Sequence, residues 1–204
     1  MNALSIGGII SGGFATGLKN LVSLVLALVL WILTIWIPYI NVGTTIGILA
    51  IVVAMSKGGV ISPTEIFNPA YRKYMGEFFL LVGIIYLGIS IGTIFLIIPG
   101  LVISIAWMLA VYLLIDRELN PMEAIKVSNQ LTYGHKWTIF LGLVVLGIFL
   151  TLIVFVLGSI GSLLSDTLGT ILSLVGTIVF VPIILGAYAH IYAELVQQLD
   201  QAAS

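Results

Sequence analysis

Charged positions are sparse and unevenly spaced along this chain, and the apolar runs between them set its architecture. Residues 20–56, a run of 37, hold no charged side chain, and neither do residues 78–115, a run of 38. Each run is close to twice a minimal membrane span of about 17–20 apolar residues, with a tight turn between. Each therefore predicts a helical hairpin. The turns are visible as Ile37-Pro38-Tyr39-Ile40-Asn41-Val42-Gly43 and Ile98-Pro99-Gly100, because proline disfavours helix in the residue before it and glycine supplies the backbone angles of a reversal. A third apolar stretch, residues 137–193, is interrupted at Gly158-Ser159-Ile160-Gly161-Ser162 and at Asp166. The pattern predicts an all-α polytopic membrane protein, a single integral membrane domain over residues 1–204. Its six transmembrane helices form three hairpins, at about 20–37, 43–56, 77–97, 101–115, 137–157 and 169–193.

With these spans, Lys19, Lys57, Arg72, Lys73, Arg117, Lys126 and Lys136 all fall on one side. The positive-inside rule then places both termini and the two charged loops in the cytoplasm, with the protein in the plasma (inner) membrane. An odd number of spans would spoil the segregation. A first hairpin that dips in and returns would preserve it, and the second span is short enough to allow that alternative. Residues 1–18 lack a basic leader region and are rich in glycine, so they read as an interfacial segment leading into the first span.

The two charged loops look like copies of one unit. Ser62-Pro63-Thr64-Glu65 and Asn120-Pro121-Met122-Glu123 each carry a helix cap followed by proline at the first helical position. Each loop predicts a surface helix of about three turns ending at a glycine, Gly76 or Gly134, suited to a left-handed stop before the next span. Gly17 precedes the first span in the same way. In the second loop Ala124, Ile125, Val127 and Leu131 share a face opposite Glu123, Lys126, Asn129, Gln130 and Tyr133. That face predicts an amphipathic helix lying along the inner leaflet. Asn68-Pro69 interrupts the first loop and restarts it with a fresh cap.

Composition sharpens this picture by exclusion. The hydrophobic set makes up 61% of the chain and charged residues only 7%, with 7 Lys+Arg against 8 Asp+Glu and no cysteine. A soluble domain carries about a quarter charged residues, and a nucleic-acid binder carries a basic excess. Disulfides and thiolate chemistry are excluded outright. His135 and His190 lie in no metal-binding spacing, and no cofactor is predicted. The serines of the Gly158–Ser162 stretch fall at the opposite end of the bundle from both histidines, so no base reaches them. No ionisable residue is placed at mid-depth in a span, where one would point to ion coupling. Gly43-Thr44-Thr45-Ile46-Gly47 and Gly88-Ile89-Ser90-Ile91-Gly92 are spacings that pack helices closely.

Residues Ile97-Ile98-Pro99-Gly100, Asp116, Pro121, Ala124, Ser128, Gly134, Lys136, Trp137 and Phe140 form a further pattern. It resembles the membrane-domain superfamily associated with some glycerophosphoryl diester phosphodiesterases and its uncharacterised six-span prokaryotic relatives. The resemblance implies a six-helix fold and a membrane protein standing without the family's soluble phosphodiesterase domain, and it carries no catalytic residue across.

The expected function is non-enzymatic: a scaffold or accessory subunit that binds membrane lipids or a protein partner at its cytoplasmic face, with no nucleic acid involved. The expected contacts are Arg72, Lys73, Arg117, Lys126, Gln130, Lys136 and Trp137, and the expected structural turns are Pro38, Pro99, Gly100, Gly76 and Gly134. The rival is a transporter or channel for a lipid-like or neutral solute, in which Thr44, Thr93, Ser104 and Thr177 would converge on one cavity and Pro182 would kink a moving helix. The sequence carries no sign of the oligomeric state.

Overall fold

The structure, a computed structural model, describes residues 4–203, with side chains for 4–201. It is helical, and no strand occurs among the described residues. The described residues hold nine α-helices: α1 (Ile6–Lys19), α2 (Leu21–Thr34), α3 (Pro38–Ser56), α4 (Met75–Phe95), α5 (Ile97–Trp107), α6 (Ala110–Arg117), α7 (Pro121–Thr132), α8 (Lys136–Ser162) and α9 (Asp166–Ala203). Two short 3₁₀ helices, Pro63–Phe67 and Pro69–Tyr74, lie between α3 and α4. Among the described residues, five helical segments are long and apolar enough to cross a membrane, counting α5 and α6 as one, and a sixth if α1 and α2, bent by 76°, form one broken span.

The glycine-rich start is not the interfacial segment expected for residues 1–18, of which 1–3 lie outside the described residues. α1 packs into the bundle along α9. A Cβ on Gly17 would stand 2.6 Å from the Pro182 carbonyl oxygen, and one on Gly186 2.5 Å from that of Gly13. The glycines thus serve backbone-to-backbone contact. Gly17 is a buried member of α1, not a helix stop.

α2 and α3 form a hairpin whose reversal spans residues 35–37, with Pro38 at the first turn of α3. Trp31 Nε1 donates to Thr45 Oγ1 at 2.9 Å, and the hydroxyls of Thr34 and Thr44 share a bond of 2.9 Å. α3 is the most enclosed of the apolar helices, with Ile46, Ile51 and Val52 fully buried.

Between α4 and α5 the chain reverses at extended Leu96, so Pro99 and Gly100 lie within the first turn of α5 rather than forming the turn. Gly100 serves close approach instead: a Cβ there would meet Thr93 Oγ1 at 2.1 Å. α5 breaks from α6 at Met108 and Leu109. α7 satisfies the groups the break frees, since Ser128 Oγ donates to the Ala106 carbonyl at 2.7 Å and accepts from Leu109 N at 3.2 Å.

The expected repeat departs from the structure in its first loop. Ser62 makes no side-chain cap bond, Pro63–Phe67 and Pro69–Tyr74 are 3₁₀ rather than α, and Gly76 is not a left-handed stop but the second residue of α4. Pro69 removes the amide an α-helix would need there. In the second loop, Asn120 Oδ1 accepts from Glu123 N at 3.0 Å, and Gly134 has φ 82°.

Candidate functional site

The charged side chains gather at the end of the bundle where α3 and α6 finish and where α4 and α7 begin. Asp116 is the centre. Its carboxylate is 3% exposed, takes an ion pair from Lys57, accepts from Tyr192 Oη at 2.7 Å and lies 3.4 Å from Arg117 Nε. A buried carboxylate is tolerated only when its lone pairs are filled, and three partners fill these. Tyr192 is held in turn by Tyr112, whose ring centroid lies 5.8 Å away. Arg117 turns its other face to Asp200, with Nη2 at 2.9 and 2.7 Å from the two carboxylate oxygens.

Glu118 ends α6 in the left-handed region, φ 52°, a conformation that few residues with a Cβ adopt. It accepts from Lys73 Nζ at 2.7 Å and from Tyr74 Oη at 2.9 Å. The Lys73 ammonium, with Tyr74, holds the Glu118 carboxyl below the ordinary carboxylate range. Beside this pair lies a cavity of about 290 Å³ lined by Lys73, Tyr74, Glu77, Glu118 and Asn120, together with Leu114 and Leu119.

Of the residues expected to make contacts, the structure brings Lys73 and Arg117 into this ionic cluster. Arg72, next in sequence, points elsewhere: its guanidinium carbon stands 5.7 Å from the Tyr39 ring centroid. Lys136 donates to Asn129 Oδ1 at 2.9 Å, and Trp137 is exposed with its ring edge on Phe140. Lys126 and Gln130 are exposed on α7. Among the described residues, the side chains of Arg72, Lys126 and Gln130 make no hydrogen bond or ion pair. α7 itself does not turn its apolar side to lipid. Ala124, Ile125 and Leu131 are buried with Ser128 against the rest of the protein, which corrects the expected leaflet-lying helix.

Sequence reasoning did not assign Asp116, Glu118, Tyr192, Lys57 or Asp200 to a site. Asp116 carries a faint signal, an acid directly after an uncharged run of 38 residues. Its partners Lys57 and Tyr192 lie 59 and 76 positions away in the chain and give none.

The hydroxyls proposed to line a transport cavity are each engaged locally, Thr44 with the Asn41 carbonyl at 3.1 Å and the Thr34 hydroxyl at 2.9 Å. Thr93 bonds the Ile89 carbonyl, Ser104 that of Leu101 and Thr177 that of Ser173, each at 2.8 Å. No group of three His, Cys, Asp or Glu side chains able to hold a metal occurs among the described residues. Comparison with family models, curated proteins and solved structures returns no match.

Proposed function

We propose that the chain is a non-enzymatic integral membrane protein, a scaffold or accessory subunit that docks a protein partner on the exposed face of α7 and meets lipid headgroups with its charged loops. In this reading both termini and the loops around Asp116 lie on the cytoplasmic side, which the positive-inside rule supports. The observation that carries the reading is the division of labour on α7. One face is bonded into the α5–α6 break through Ser128, while Lys126 and Gln130 on the other have no partner within the described residues. A polar face held rigidly and left open to solvent suits recognition of a second protein.

The test is native mass spectrometry of protein extracted gently from its own membrane, comparing wild type with the K126A/Q130A variant. A protein that co-purifies in fixed ratio with the wild type and is lost from the variant supports the docking face. An unchanged set of co-purifying proteins sinks it.

The rival transporter reading draws on one feature, an open groove of about 620 Å³ between α8 and α9 lined by Val154, Phe155 and Gly158 together with Thr151, Ser159, Ser162 and Ser173, whose hydroxyls bond carbonyls of their own helices. Thr151→Cys and Ser173→Cys should then react with a membrane-impermeant thiol reagent. Silence at both positions in native vesicles removes its support.

A further inference from the structure

We infer that the α2–α3 hairpin does not cross the bilayer but lies within the cytoplasmic leaflet, docking the lipid-facing side of α2 onto a single monolayer. The inference rests on the membrane placement proposed above.

The argument starts from the two ends of α3. Its 19 residues make it about 28 Å long, nearly the thickness of the hydrocarbon core. Standing upright, it would put Tyr39 and Lys57 on opposite sides. Both ends, however, are tied to the same charged cluster. Lys57 pairs with Asp116. Tyr39 lies under Arg72, whose neighbour Lys73 bonds Glu118, two residues from Asp116. An upright α3 would have to draw Arg72, Lys73 and Glu118 to the far side while Asp116 stayed on the near one.

The chain between these ends agrees. Asn20 Oδ1 accepts from Ile61 N at 3.4 Å at the base of the hairpin, and Lys19 Nζ donates to the Gly58 carbonyl at 3.1 Å. Residues 61–72 then run back along α3, with Ile66 against Gly47 and Arg72 against Gly43, until they reach the hairpin tip. This third limb carries Glu65, Asn68 and Arg72, which are costly to place in hydrocarbon.

The outer side of α2 identifies the surface it meets. Val22, Leu26, Val29, Ile32 and Leu33 form one exposed apolar stripe, and Trp36, 86% exposed, continues it into the tip beside Tyr39. An apolar stripe ending in aromatic residues and a guanidinium that lies over Tyr39 without a carboxylate partner fits the acyl chains, interface and phosphates of one leaflet.

The native chain has no cysteine, so single-cysteine variants report position cleanly. Q130C marks the charged-loop side and S165C the far turn between α8 and α9. In sealed vesicles of known orientation, a membrane-impermeant maleimide should label Y39C from the same side as Q130C, and S165C from the opposite side. Labelling of Y39C together with S165C overturns the inference while leaving the spanning reading intact. Labelling of Q130C and S165C from one side overturns the spanning reading and the inference with it. Should Y39C be silent from both sides, a short bis-maleimide applied to Y39C/R72C in the same vesicles decides: a cross-link supports the hairpin in the cytoplasmic leaflet, and its absence overturns it.

Discussion

The loops between α3 and α4 and between α6 and α8 start from nearly the same sequence device and end as different structures. Each opens with a small polar residue, a proline and a glutamate three positions after the cap. In the second loop the cap closes and α7 runs for 12 residues before Gly134 turns left-handed. In the first, Glu65 bonds Asn68 Nδ2 at 2.9 Å and Tyr71 Oη at 2.8 Å, and the chain stays in 3₁₀ turns. A cap therefore nominates a helix start, and the residues beyond its first turn decide whether the helix propagates. Pro69 ends propagation in one loop, whereas in the other the Ala124 and Ser128 face finds a helix break to fill. The first loop also has a different surface to cover, since Gly47 on α3 lets the backbone of Ile66 approach closely.

That contact should be the most sensitive point of the first loop. Gly47→Val would place a Cβ 2.6 Å from Ile66 Cα, a clash with backbone that no rotamer relieves. Overpacking of this kind costs about 3 kcal/mol. The midpoint of heat-induced unfolding in micelles should fall accordingly. A variant as stable as the wild type would mean that residues 61–72 are not seated on α3.

The corresponding point of the second loop is Ser128. Ser128→Ala removes both bonds to the α5–α6 break and orphans Leu109 N and part of the Ala106 carbonyl inside the protein. The expected loss is about 2 kcal/mol. Thr132 Oγ1 stands 3.4 Å from the same carbonyl and retains a weak share, so S128A/T132V should lose more than S128A alone. Equal stability of the two variants would show that Thr132 contributes nothing there.

The long uncharged helices were legible from composition and spacing, because nothing but a membrane-scale helix accommodates 27 residues such as α8 without a charge after Lys136. The ends of α7 were legible too, since Asn120 and Gly134 act through their own backbone neighbourhood. Three things were not. Gly13 and Gly17 fell in a stretch that read as an interfacial segment, with Gly17 as a stop before the first span, because a glycine that permits helix contact and one that ends a helix are the same letter in the sequence. The apolar face of α7 has a periodicity that serves protein and lipid equally, so its true partner was invisible. The Asp116 cluster joins residues 57, 116, 192 and 200, and contacts across such separations leave no local pattern.

The two loop-ending glycines sharpen the comparison through opposite signs. Gly134→Ala forces a Cβ into a φ of 82° and should cost about 1–2 kcal/mol. Gly76→Ala sits inside helix α4 with nothing within 4 Å of the added carbon, so it should stabilise by about 0.5 kcal/mol. If both alanines destabilised equally, the glycines would be equivalent after all and the repeat would be real.

The caps differ by less than the glycines do. Asn120→Ala breaks the bond to Glu123 N and the return bond from Asn120 Nδ2 to Glu123 Oε2 at 2.8 Å, with an expected loss of about 1 kcal/mol. Ser62 holds no backbone amide with its side chain, and its hydroxyl is engaged with that of Thr64 at 2.9 Å on the exposed side of the loop. Ser62→Ala should therefore lie within about 0.5 kcal/mol of the wild type, as exposed substitutions do. Hydrogen exchange separates the two further: N120A should speed exchange at the first-turn amide of Glu123, and S62A should leave that of Glu65 unchanged, because its bond goes to the Ser62 carbonyl at 3.1 Å rather than to the side chain. Faster exchange at Glu65 in S62A would show that the first loop uses its cap after all, and the difference between the loops would then rest on Pro69 alone.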